Sequence, residues 1–562
     1  MNTSKCNFSL DNEILTLGNG LFEATFGGVV SATSRVADGN GLSEPYLEIR
    51  AERTDGRSTL FCLWADLPVV WIPEYSEETL FEIRDHWLIR NVRLRAFTDE
   101  NDTLTEENEI NLFHGYIQGE RKGEIFCFES LEDDRAMVVI SENADYSTAT
   151  LTGRKGVLKL ENGKNGLAIG YCRVGECERL CRDYLRRARK YERLVTMSNT
   201  WGDRNGNSRV CLDFVCREID AAEELGVDIV QIDDGWQVGD TGTCPKDEQK
   251  HRYFDGDFWE CDHNRFPEEI GPVVAYAKEK GIRVGMWFAP DTHGCFAHWE
   301  RDVEVLRKAY NEWGVRFFKL DMYWVSDDGE RDKMLRMLET IHSFGDDVTV
   351  QMDVTRNERL NYLCGRQYGT VFVENRYTKS ANFFPYGALK NLWMISKYVP
   401  ASRFQFELVN PDLNADCYRE NDPFAPVHYS MDYLFASVML SNPLFWMEMQ
   451  FLSEKRRAEL APVMAAWRRC REDLAKMDVC PIGEKPLGRS MTGFLVTDRG
   501  EAKYLLLFRE VTDRTSAVLS APVKAARAEI LATNTDASVE ILDGAVRVEF
   551  KDPRSYVFVK IS

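Results

Sequence analysis

The chain has 562 residues, 44% hydrophobic and 29% charged, with a formal net charge of -21. That length is too great for one ordinary core and suits three or four domains of ~150 residues, or fewer if one is a barrel. The acidic balance repels phosphate groups and argues against nucleic acid or an anionic membrane as a partner, and no segment approaches the ~20 uninterrupted apolar residues of a membrane-spanning helix.

Residues 1–174 read as short strands. The segments 20–26, 46–53, 86–97, 123–130, 136–141 and 156–163 alternate apolar and polar residues between Gly, Asn and Asp turns. Many short strands without clear helices predict an N-terminal β-sandwich. The charged amphipathic stretch 175–194 predicts a linker helix.

From 195 to 478 the rhythm changes. Strand-like segments at 194–201, 227–236, 282–290, 315–324, 348–355, 370–378, 403–411 and 443–452 alternate with helical ones at 215–226, 270–281, 299–314, 331–345, 357–365, 386–399, 428–440 and 454–477. Eight strand–helix units, several with Gly at the helix end, predict a (β/α)8 TIM barrel. Short alternating strands return at 493–498, 503–508, 546–550 and 555–561, so 479–562 is expected to be a small all-β domain. The fold class is therefore multidomain α/β, a central barrel flanked by β-domains.

Fifteen cysteines are scattered along the chain, densest at Cys172, Cys177 and Cys181, with no histidines nearby. That spacing is wrong for a zinc knuckle and suits free thiols in a reducing compartment. The first 20 residues lack a basic start followed by an apolar run, so a cytoplasmic location is the expectation. No metal or other cofactor is expected, and homo-oligomerisation stays open.

A TIM barrel carries its active site at the C-terminal ends of its strands. The polar residues of the eight units fall there: Asn199 and Trp201, Asp233, Asp234 and Trp236, Trp287 and Asp291, Lys319 and Asp321, Gln351 and Asp353, Glu374, Asn375 and Arg376, then Glu407, Glu448 and Gln450. Carboxylates accept hydrogen bonds from vicinal hydroxyls and Trp covers an apolar ring face, so this rim suits a polyhydroxylated ligand. Lys319 and Asp321 point the same way from one strand, and an adjacent ammonium keeps a carboxylate ionised. Retaining glycoside hydrolysis needs an ionised nucleophile and a protonated acid about 5–5.5 Å apart. Asp321 fits the nucleophile. Glu374, at the end of the sixth strand, fits the acid/base, with Asp353 as its rival. The same residues also admit structural readings: Lys319–Asp321 as an ion pair, Glu374 as a partner of Arg376, and Trp201, Trp236 and Trp287 as core.

Several of these segments match a known group. IDDGW at 232–236, KLD at 319–321, NTW at 199–201 and MWFAP at 286–290 resemble the motifs of glycoside hydrolase family 36, the α-galactosidases, α-N-acetylgalactosaminidases and raffinose-synthase-like relatives. The resemblance covers nearly the whole chain. It implies an N-terminal supersandwich, a catalytic barrel and a C-terminal β-domain. It implies Asp321 as nucleophile, Lys319, Asp233 and Asp234 as sugar contacts, and Glu374-Asn375 in place of the family's acid dipeptide. Trp201, Trp236, Trp287, Asn199, Asp353, Arg359 and Asn375 complete the expected substrate-binding set, with Arg359 corresponding to the family arginine. Three departures stand out: 351–361 lacks the family's Cys- and Gly-rich run, the acid is Glu rather than Asp, and Ala289 replaces a Glu before Pro. The expected function is retaining hydrolysis of terminal α-linked galactose or a related sugar from an oligosaccharide or glycoside. The alternative is a transglycosylase or a weakened carbohydrate-binding protein on the same scaffold.

Overall fold

The computed structural model describes residues 5–37, 44–73, 81–83, 86–94, 106–111, 117–142, 147–153, 155–159, 166–187, 193–202, 206–239, 257–292, 294–321, 325, 328–354, 362–373 and 376–562. Eight parallel strands close a barrel: β1 (Met197–Asn199), β2 (Ile229–Ile232), β3 (Arg283–Phe288), β4 (Phe317–Leu320), β5 (Thr349–Asp353), β6 (Gly369–Phe372), β7 (Phe404–Leu408) and β8 (Asn442–Phe445). Closure is visible at Met197, which pairs with Ile229 of β2 on one side and Leu444 of β8 on the other. Every residue of β2, β4, β6, β7 and β8 is buried. Helices cover the outside of the barrel while side chains fill its inside, which is why these strands read as apolar runs rather than as alternation.

Three helical segments end at a left-handed glycine, Gly226, Gly281 and Gly314, with φ between 72° and 79°. Gly226 follows the helix Leu212–Leu225 with φ 76°, a left-handed conformation that favours glycine. One expected helix lies mostly outside the described residues. The stretch 357–365 was expected to be a helix; residues 357–361 lie outside the described set, and 362–368 form successive turns. Gly365 sits there at φ 65°, which interrupts helical geometry.

Before the barrel, a nine-stranded antiparallel sheet packs with three- and four-stranded sheets, its edges at Glu106–Asn111 and Val29–Ala37. After it come a five-stranded and a three-stranded sheet. The helix Cys177–Arg186 joins sandwich to barrel. One apolar cluster runs from Trp64 and Tyr184 through the barrel to Phe508 and Tyr556, so both flanking domains share core with the barrel. Each large side chain buried in such a cluster contributes roughly 1.5–3 kcal/mol. That continuity holds the strand ends rigidly in register.

Candidate active site

The parallel register brings Trp287 of β3, Lys319 of β4 and Gln351 of β5 to one level. Lys319 lies in a strand whose four residues are all buried, and its side chain is 2% exposed. Its ammonium stands 3.0 Å from Asp233, 3.4 Å from Asp321 and 3.2 Å from Asp353. Burial alone would depress the ammonium, but the charges of Asp233, Asp321 and Asp353 outweigh it and hold its pKa well above the ordinary value. The rings of Trp446 and Phe372 lie 5.4 and 6.0 Å from the same nitrogen and add a cation–π attraction.

Asp321 follows β4 directly, and its backbone N–H still bonds to the Phe288 carbonyl at 2.9 Å, which anchors it to the barrel wall. The indole N–H of Trp287 donates to its Oδ2 at 2.9 Å. Three carboxylates share Lys319, but they differ in exposure. The Asp321 side chain is 26% exposed, while those of Asp233 and Asp353 are each 3% exposed. Asp321 is therefore the carboxylate of this group that a ligand in the barrel mouth can reach.

The other expected residues divide into those facing the mouth and those behind it. Asp233 takes the Asn199 amide at 2.7 Å on the oxygen that also faces Lys319, and its other oxygen takes the Asp234 N–H at 2.9 Å. Asn199, expected as a sugar contact, is itself buried and holds Gln231 at 2.6 Å as well as Asp233. Asp234 accepts from Gln237 at 2.5 Å and Asn207 at 3.3 Å. The turn beneath it needs Gly235, at φ 111°, because a Cβ would lie 2.7 Å from both Arg265 and Asn207. Trp201 is half-buried and donates its indole N–H to the Tyr377 hydroxyl at 3.1 Å.

Trp236 is a correction. Expected to line the pocket, it is 0% exposed, donates to the Trp287 carbonyl at 2.9 Å, and packs against Trp259 and Trp313 with ring centroids 5.9 and 5.8 Å away. It supports the backbone behind Trp287 and belongs to the core. Glu374, Asn375 and Arg359 lie outside the described residues. Their neighbour Arg376 is buried and bonds to Glu407 of β7 at 2.9 Å. Among the described residues, no group of three His, Cys, Asp or Glu side chains is placed to hold a metal ion. Two residues of this region escaped the sequence reading, Tyr377 and Trp446. Each was a bulky residue within or beside a strand, and neither carries a charge that would have marked it.

No family model matches the sequence. A stretch of 73 residues is 32% identical to α-galactosidase 1 of Pediococcus pentosaceus, covering 13% of this chain and 9% of that protein. Solved structures match along nearly the full length. An α-galactosidase variant from Geobacillus stearothermophilus in complex with raffinose superposes with a TM-score of 0.68 at 12% identity, covering 99% of this chain and 89% of that one. The α-galactosidase of Lactobacillus brevis gives 0.69 at 9% identity, covering 95% and 85%. The fold is that of the family 36 α-galactosidases. The curated relative shares only a short segment, under a tenth of its own length.

Proposed function

We propose that this chain is a retaining glycoside hydrolase that releases terminal α-linked galactose, or a closely related sugar, from oligosaccharides. One observation carries the reading: Asp321, on the rim after β4, is the exposed member of three carboxylates that share the buried Lys319. A carboxylate beside a fixed ammonium, oriented by the Trp287 indole, is a suitable nucleophile for an anomeric carbon. The likeness in fold to an α-galactosidase bound to raffinose supports an oligosaccharide substrate.

In this mechanism Asp321 attacks the anomeric carbon and forms a glycosyl ester while the glycosidic oxygen takes a proton from the acid. Water then attacks the ester, activated by the same residue acting as base. Glu374 is assigned that role from its place in the sequence after β6. Asp353 is poorly suited to it, because its carboxyl is 3% exposed and already faces the Lys319 ammonium at 3.2 Å, with little open side for an incoming glycosidic oxygen. Asp233 and Asn199 act by holding Lys319 in place, Asp234 fixes the turn after β2 through Gln237 and Asn207, and the half-buried Trp201 offers ring surface to the sugar.

The test is a panel of nitrophenyl α-glycosides, with the first-formed sugar followed by proton NMR. Turnover of the α-galactoside with α-galactose appearing first is expected. Initial β-galactose would establish inversion instead, and no turnover of any member would overturn the hydrolase assignment.

A further inference from the structure

A sugar hydroxyl both donates and accepts, so a site that binds one needs donors as well as carboxylates. Around Asp321 most of the donors among the described residues are already committed. The three N–H groups of the Lys319 ammonium face Asp233, Asp321 and Asp353. The Trp287 indole bonds to Asp321 and the Trp236 indole to the Trp287 carbonyl. Gln351 Nε2 and Trp446 Nε1 have no partner among the described residues, but both are buried. Tyr377 differs. Its hydroxyl oxygen accepts from the Trp201 indole at 3.1 Å, which leaves its own proton to be donated elsewhere. The side chain is half-buried, and its ring lies against Trp446 at 5.8 Å between centroids, the same ring that Lys319 faces. The phenol also lies within electrostatic reach of Lys319, Asp233 and Asp353, and burial pushes it well above its ordinary pKa, so it keeps its proton.

We propose that Tyr377 is a specificity-determining residue, whose phenol, oriented by the Trp201 indole, donates a hydrogen bond to one ring hydroxyl of the sugar bound over Asp321. The inference rests on the galactoside reading above and adds to it the residue that supplies a neutral donor. A phenol in this position discriminates against a sugar lacking that hydroxyl, because its proton is then left without an acceptor in a partly dry site.

Tyr377→Phe removes the donor and keeps the ring. The experiment compares wild type and variant on the four monodeoxy nitrophenyl α-galactosides by kcat/KM, and on galactose with its monodeoxy analogues by calorimetry. Wild type is expected to lose about five- to tenfold at one position through this contact. Tyr377→Phe should lose that same factor on the parent sugar and then show no further loss for the matching deoxy compound, while keeping wild-type discrimination at the other positions. A uniform penalty across the whole series, or unaltered discrimination at every position, overturns the proposal. Trp201→Phe, a second variant, should weaken the same single-position discrimination; leaving it whole would overturn the orienting role. If wild type binds galactose without hydrolysing glycosides, the hydrolase reading fails while calorimetry still decides Tyr377. If it binds no sugar, both fall.

Discussion

Replacing Lys319 by Met keeps most of the side-chain volume and deletes one charge that three carboxylates share. At the observed separations of 3.0, 3.2 and 3.4 Å, each pair is worth about 5 kcal/mol of attraction at an effective dielectric of ~20. Mutual repulsion of the carboxylates and the cost of burying them oppose that gross figure. Breaking a buried pair by removing one partner typically costs about 3–5 kcal/mol, and Lys319→Met is expected to fall in that range by urea denaturation. Asp233 and Asp353, at 3% exposure, bear most of the cost, since Asp321 can be hydrated. Activity should fall further than stability, because Asp321 loses the cation that faces it at 3.4 Å and fixes its position, and kcat/KM should drop with it. The double variant Lys319→Met with Asp353→Asn removes one stranded carboxylate and should recover part of the lost stability. A Lys319→Met protein with an unchanged urea midpoint and near-normal kcat/KM would refute the view that this ammonium organises the site.

Asp321→Ala should lower kcat by about 10⁴-fold or more with folding intact; near-normal turnover would remove it from the nucleophile role. Glu374→Ala should cost oligosaccharides about 10²–10⁴-fold and nitrophenyl substrates far less, since nitrophenol departs with little protonation; equal damage to both would count against the acid role. Glu218 is buried on the helix Leu212–Leu225 and accepts from the backbone N–H groups of Met449 and Gln450 and from the Gln450 side chain. Burial raises its pKa from 4.5 to about 7 against those hydrogen bonds. A raised carboxyl binds its proton more tightly in the folded state, so its contribution to stability is lost as pH rises from about 4.5 to about 7, by about 3 kcal/mol in all. Glu218→Gln has no such proton to lose, and its urea midpoint should fall less than that of wild type between pH 5 and pH 8.

The eight barrel strands and most of the helices between them were legible in the sequence because apolar runs and glycine helix ends are local properties of the chain. So was the rim: once the barrel was recognised, every strand end pointed to its C-terminal mouth, and the two-residue spacing of Lys319 and Asp321 put both side chains on one side. Which rim residues face a ligand was not legible. Trp201 and Trp236 read alike, yet one reaches the Tyr377 hydroxyl and the other is sealed behind Trp287. Asp233 and Asp321 also read alike, and they differ because Asn199 and the Asp234 N–H close over the first while the second keeps an open side. Exposure and hydrogen-bond commitment are set by partners from distant parts of the chain. Trp201 meets Tyr377 across 176 positions, and Lys319 meets Asp233 across 86. Periodicity places a side chain on a strand end, but only closure of the barrel brings up the neighbours that bury it or leave it open to a substrate.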